Sequence, residues 1–388
     1  MTRRGRARAV KQAGVSIITA AAAMALCGSA AASVSSSSGY QLRVFATGGR
    51  SLTNPDDITS LEGVVYVVYQ NDTNPDGTPA NATSTVVGYR PDGSQTGTWS
   101  VVGHCDGLTA DPSHHRLIAT VNEDANSSLY TITPKSRPAD QLRHYSYSPD
   151  PSSLSGGGTD AISVLHGRIF ISASNPSPST TGGTTFTGPA VYAAKIPVHG
   201  SVVSLKPTFY DNSQATDAVS GQAVALNLSD PDSNAIVPGS SPRFAGDFVL
   251  DSQGDSELVF AHHPGTGDQS LTRLSLKSGN GAPQVDDVTW ATERGGVLLA
   301  VDAKQDQIDA ISGPFASGSA LTAIPGDSQA LPGDLGTIDL ATGTVTPFAT
   351  GFGSPKGLLY LPRYAGGSER GDRRGGSGAD HRHGRGHS

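Results

Sequence analysis

The sequence predicts an all-β chain, a single β-propeller of six four-stranded antiparallel blades, with a seventh, degenerate blade left open. Three observations carry this. A unit led by an aspartate recurs from Asp57 to Asp106 to Asp160, a spacing of roughly 50 residues that suits a four-stranded blade. No window sustains an apolar period of 3.6, which removes helices as building blocks. The 48 Gly and 25 Pro are spread along the 388 residues, between short β-branched and aromatic runs, as turns between strands require. Such a length often means two or three domains, but propellers hold it in one.

The first unit runs from Asp57-Ile58-Thr59 through Val64–Tyr69 and Val86–Tyr89 into the turn Arg90-Pro91-Asp92-Gly93. The second has Asp106–Thr109, Leu117–Val121 and Ser128–Ile132, and the third Asp160–Ser163, Arg168–Ile171 and Ala190–Tyr192. Asp247–Leu250, Glu257–Phe260 and Leu271–Leu274 read as the fourth, and Asp287–Trp290, Gly296–Val301 and Gln307–Ile311 as the fifth. The last unit joins Gly336–Leu340, Thr344–Phe348 and Pro355–Tyr360. Its Phe348-Ala349-Thr350-Gly351 echoes Phe45-Ala46-Thr47-Gly48, which suggests that the first and last blades share closure and so hide the sheet edges. Residues 210–243 read as an insertion or a degenerate repeat, because Thr216–Ser220 echoes Thr159–Ser163.

Residues 1–32 read as a signal peptide. Arg3, Arg4, Arg6, Arg8 and Lys11 form a basic start, Gly14–Leu26 an apolar run, and Ala30-Ala31-Ala32 a cleavage site. The expected location is outside the cell or in its envelope, with no membrane insertion after cleavage. The propeller domain is then 33–364. Residues 365–388 are Gly, Arg, Asp, Ser and His with almost nothing apolar, and are expected to be disordered. The mature chain keeps one cysteine, Cys105, so no intrachain disulfide supports the fold. His104 and Asp106 flank it, which invites a metal or nucleophile reading, while a lone Cys beside a strand more often is only buried. The net charge is −7, and the basic residues concentrate at the two ends. The acidic body disfavours phosphate backbones and favours cations, so nucleic acid is not an expected partner.

Strands opening Asn54-Pro55-Asp56-Asp57-Ile58 or Ser354-Pro355-Lys356-Gly357-Leu358, the first followed by Gly63–Val68, resemble NHL-type repeats. They also resemble the wider six-bladed superfamily that includes gluconolactonases and regucalcin. The resemblance covers most of residues 40–362 and implies the architecture. Its lactonase members hold a divalent cation at the channel mouth through a Glu, an Asn and an Asp; no matching Glu stands at the equivalent start of this chain.

The leading aspartates Asp57, Asp106, Asp160, Asp247 and Asp287 are expected to start innermost strands and face one another around the channel mouth, with Lys356 at that place in the last unit. Converging carboxylates raise one another's pKa unless a cation neutralises them, and an all-oxygen set suits Ca²⁺ or Mg²⁺. The alternative role is to cap the inter-blade turns. Glu123 and Asp124, His262 and Asp302 are expected to widen the mouth into a cleft, and His114-His115 to lie at the opposite face. There is no Gly-x-Ser-x-Gly elbow, no His-Glu-x-x-His, no phosphate loop and no haem motif, so no organic cofactor is expected. Three readings follow. The first is a secreted, monomeric binding or scaffold propeller with a cation site, taking a small molecule, glycan or protein. The second is a metal-dependent hydrolase or lyase resembling the gluconolactonase group. The third is an envelope protein without a discrete site.

Overall fold

The computed structural model describes residues 34–279, 281–327 and 332–363. The chain divides at Ala32/Ser33; the first of these units, with the signal-peptide reading, and the 365–388 tail lie outside the described residues. The described residues are strands, turns and four single-turn 3₁₀ helices. No helix among them is long and apolar enough to cross a membrane.

Six four-stranded antiparallel units can be traced. The first is Pro55–Leu61, Val64–Tyr69, Thr83–Tyr89 and Gln95–Val102. The second is Cys105–Asp111, Arg116–Val121, Ser128–Ile132 and Leu142–Ser148. The third is Gly158–Leu165, Arg168–Ser174, Pro189–Lys195 and Val202–Tyr210. Their outer strands pair in parallel at Ser146–Ser148 and Val202–Ser204, which joins the two units into an eight-stranded sheet.

The fourth unit corrects the sequence reading. Its inner strand is Pro231–Ile236, inside the stretch read as an insertion, and Phe248–Ser252 is its second strand. Glu257–His262 and Ser270–Ser275 complete it. In place of a seventh unit, Gln214–Asp217 and Ala223–Ala225 extend its outer edge. The fifth and sixth units are interleaved, which the linear repeat did not predict. Asp287–Trp290 pairs with Ala320–Ile324, followed by Gly333–Asp339 and Thr344–Phe352. Val297–Asp302 and Gln307–Ser312 belong instead to the sixth unit, between the inner strand Pro355–Leu361 and the outer strand Gln41–Thr47. The two Phe-Ala-Thr-Gly segments are therefore outer strands of neighbouring units, and the N-terminal one closes the ring.

The inner strands neighbour one another in the order of the units, and the sixth lies against the first. Apolar faces meet at all six seams. Leu61, Tyr66 and Val68 pack on Leu108, Leu117 and Tyr130 between the first two units, and Phe45, Ile308 and Val301 on Val67 and Tyr89 where the ring closes. There is no single central core, because sheets packed face to face bury side chains between them and leave the axis open.

One irregularity positions the site. Pro55 pairs with Tyr69 but Ile58 with Val67, so three residues advance against two. The same slip occurs at Cys105/Leu108, Thr159/Ile162, Pro231/Asn234 and Pro355/Leu358. In the fifth unit Asp286 and Asp287 share Ala323 as partner. Each inner strand thus begins with a bulge, which re-aims side chains at its start.

Candidate metal centre at the channel mouth

The bulges set Asp56, Asp106, Asp160, Asp232, Asp286 and Lys356 at one level around the axis. A mouth cavity of about 320 Å³ is lined by all six. A second cavity of about 440 Å³ runs down the inner strands and shares the five aspartates with it. Asp57 and Asp287, one residue further along, do a different job. Asp57 accepts the backbone N–H of Ile58 (2.6 Å) and of Leu108 on the next inner strand (2.6 Å). Asp287 accepts those of Val288 (2.6 Å) and Leu358 (2.6 Å), and the Ser233 hydroxyl (2.9 Å). These two carboxyls staple adjacent inner strands together, as turn caps would. Burial nevertheless raises both pKa values, that of Asp287 to about 6.

On the ring, Lys356 Nζ lies 3.1 Å from Asp56 Oδ1 and 3.3 Å from Asp286 Oδ1. Their charges hold the ammonium well above its usual pKa despite burial. Burial pushes Asp56 up to about 7, against the pull of Lys356. Gln253 Nε2 donates to Asp286 Oδ1 (3.1 Å). Burial drives both Asp160 and Asp232 well above the carboxylate range, and the charges of neighbouring carboxylates add to it.

The most organised part of the mouth is on the second unit. His104 and Asp106 flank Cys105, which is wholly buried; alternate strand residues share a face. His104 Nδ1 meets the Thr73 carbonyl at 2.7 Å and its hydroxyl at 3.0 Å. Its backbone N–H donates to Asn122 Oδ1 (2.9 Å). His104 Nε2 lies 3.0 Å from Asp106 Oδ1 and 3.8 Å from Glu123 Oε1. Gln70 Nε2 donates to Asp106 Oδ1 (2.7 Å), and Ser174 Oγ to Glu123 Oε2 (3.2 Å). The donor atoms of His104, Asp106 and Glu123 all lie within 4.8 Å of one another. Burial lifts Glu123 to about 8, helped by the Asp106 charge. Burial pulls the imidazole down, but the hydrogen bond and charge of Asp106 and the charge of Glu123 outweigh it and raise it to about 9. A metal ion would relieve both groups at once.

The structure therefore brings together Asp106, Asp160, Glu123, Asp124 and Lys356 of the predicted residues. Asp124 lines the mouth and accepts from Asn175 Nδ2 (2.8 Å). Asp247 does not join them: it precedes a second strand, at the end away from the mouth, with its carboxylate 2.7 Å from His262 Nδ1. His262 is accordingly at the foot as well. His114 and His115 lie where expected, in the turn after the second inner strand, against Asp111 and Glu62. Asp302 is buried at the end of its strand, where it accepts the backbone N–H groups of Gly353 (2.7 Å) and Ser354 (2.9 Å), and it widens no cleft. Asp56, Asp232, Asp286 and His104 were missed as site residues. The first three stand one residue from the bulge, or in the supposed insertion; His104 was visible as a His-x-Asp pair.

No family model matches the chain, and no curated protein matches it. Among solved structures it is similar to the periplasmic gluconolactonase of Pseudomonas aeruginosa, at 14% identity over 85% of this chain and 99% of that one, with a TM-score of 0.46. It is also similar to a Lactobacillus plantarum protein, at 11% identity over 83% and 99% with a TM-score of 0.44. A streptogramin B lyase matches at 10% identity over 71% and 99%, with a TM-score of 0.32.

Proposed function

We propose that the mouth holds one divalent cation on His104 Nε2, Asp106 Oδ1 and Glu123, and that the chain is a cation-dependent hydrolase of a small, oxygen-rich ester or lactone. The observation that carries the reading is the convergence of these three donors within 4.8 Å in a polar cavity. The donor set fits an ion. With Nδ1–H donated to the Thr73 carbonyl, Nε2 is the nitrogen turned to the two carboxylates, and an ion bound there would take the place of its proton. One imidazole and two carboxylates leave a coordination position open, as hydrolytic sites do. The nitrogen donor shifts the expected ion from Ca²⁺ or Mg²⁺ toward Zn²⁺ or Mn²⁺.

When bound, such an ion polarises a carbonyl and acidifies a water. The chain's own residues supply the rest. Gln70 and Ser174, on the wall of the same cavity, orient the ligating carboxylates by hydrogen bonds. Lys356 Nζ, at 3.1 Å from Asp56 Oδ1 and 3.3 Å from Asp286 Oδ1, places one positive charge in the mouth that a substrate oxygen could meet. A cavity of about 320 Å³ suits a ligand of sugar size. Convergent, buried donors support hydrolysis over the scaffold reading, since a flat recognition face needs none.

The test is metal analysis of the purified full chain, with hydrolysis of five- and six-membered lactones followed in a pH-stat before and after chelation. The expected result is one ion per chain, and turnover that chelation removes and Zn²⁺ or Mn²⁺ restores. A chain that takes up no ion and opens no lactone contradicts the reading.

A further inference from the structure

Around the ring, the charge of each carboxylate is answered differently. Asp56 and Asp286 share the ammonium of Lys356, which stands on the inner strand between theirs. Asp106 is answered through Oδ1 by His104 and Gln70. Asp160 and Asp232, on the third and fourth inner strands, line the same cavities. Among the described residues no cationic side chain forms an ion pair with either of them. Beside them, Asp106 Oδ2 is buried without a hydrogen-bond partner, in a residue only 7% exposed that lines both cavities. Asp160 is as deeply placed, at 5%.

The geometry points to a binding place for a primary ammonium group between Asp160, Asp232 and Asp106 Oδ2, so that the molecule taken at the mouth carries an amine. The inference names the substrate class of the site above and rests on that reading only in taking the mouth as the place of binding. Lys356 shows how the ring seats such a group: one ammonium bridges carboxylates of two units at 3.1 and 3.3 Å. A free –NH₃⁺ has three donors, and the opposite arc offers three acceptors. Hydrogen bonds between an ammonium and carboxylates are charge-assisted and strong when buried. An anionic ligand, phosphorylated or carboxylated, meets five carboxyls and one lysine here, so the ring rejects it.

The two strands that present the pair are fixed. The Thr120 hydroxyl donates to the Asp160 carbonyl and the Ser172 hydroxyl to the Asp232 carbonyl. Asn234 Nδ2 ties the neighbouring Ala161 carbonyl at 2.7 Å. The acceptors are therefore held in place before a ligand arrives, which lowers the ordering cost of binding.

The probe is ethanolamine, titrated by calorimetry into the full chain stripped of metal, with ethylene glycol, glycolate and tetramethylammonium as controls. Ethanolamine is expected to bind once per chain, glycol and glycolate not at all, and tetramethylammonium at least about tenfold more weakly because it has no N–H donors. The double variant Asp160→Asn, Asp232→Asn is expected to lose ethanolamine binding. Lys356→Met, which frees Asp56 and Asp286, is expected to bind a second ethanolamine, and this arm decides the matter should the double variant not fold. Equal binding of glycol, or ethanolamine binding untouched in the double variant with no second equivalent in Lys356→Met, overturns the inference. Ethanolamine binding without lactone turnover removes only the hydrolase reading; turnover without ethanolamine binding removes only this one.

Discussion

His104 is held through Nδ1 by Thr73 and through its backbone N–H by Asn122, which leaves Nε2 turned to the carboxylates of Asp106 and Glu123. The same logic assigns Gln70 a positioning role, because from the cavity wall its Nε2 donates to Asp106 Oδ1. Gln70→Leu should keep the fold and weaken ion uptake about tenfold or more, read by competition with a chromogenic chelator; unchanged affinity would show that the hydrogen bond does not orient the ligand. Asp211 gives a test unconnected to the mouth. It has no exposure, both carboxyl oxygens lack a hydrogen-bond partner, and burial raises its pKa to about 8. The unfolded chain releases this proton near pH 4, so the folded form binds more protons in between and stability falls as pH rises from about 4 to about 8. Asp211→Asn should therefore match the wild type near pH 4 and exceed it at pH 9 in urea midpoint. A gap independent of pH would contradict this. His-x-Asp around Cys105 and the Glu123 loop were readable as residue types on a strand and its exit. Thr73 and Gln70 were not, because they lie more than thirty residues away in a loop whose sequence says nothing of where it folds back.

At the scale of the element, the bulge at the head of each inner strand decides which side chains see the channel. A strict period of two from the apolar positions selects Asp57 and Asp287; the extra residue selects Asp56 and Asp286 and turns the second aspartate of each pair into a staple between strands. This is why the ring was legible as a ring while two of its members were read one place too late. Each staple lands beside a glycine, Asp57 on Leu108 next to Gly107 and Asp287 on Leu358 next to Gly357, and the glycine clears the inner strand on its other side. A Cβ at Gly107 would come within 2.4 Å of the Asp160 carbonyl oxygen and 2.5 Å of Thr120 Oγ1, so the next inner strand can approach only if that position is bare. Asp57→Ala removes two part-buried hydrogen bonds to backbone and should cost about 2 kcal/mol of stability, with ion uptake retained. Loss of the ion at full stability would place Asp57 in the centre and not in the fold.

At the scale of the molecule, six seams and a closed ring of inner strands replace a single core, and closure depends on the N-terminal strand Gln41–Thr47 lying outermost on the sixth unit. Deleting residues through Thr47 should expose the edge of Gln307–Ser312, lower the unfolding midpoint and promote association through that edge. A truncated chain as stable and monomeric as the intact one would mean the strand is dispensable. The propeller was legible from the repeat, because each unit has to bury both faces and so repeats the same apolar strands. The interleaving of the fifth and sixth units was not. Trp290 and Val297 are separated by a loop no longer than others in the chain, and a local apolar pattern cannot say which of two adjacent sheets the next strand enters.

The central claim is that three side chains from the second unit hold an ion at the mouth. Anomalous diffraction at the zinc or manganese edge from crystals of the full chain grown with that ion tests it most directly. The account predicts one strong peak at about 2.0–2.2 Å from His104 Nε2 and from carboxylate oxygens of Asp106 and Glu123. A peak on other residues, or none at the mouth in a protein that retains the metal, contradicts it.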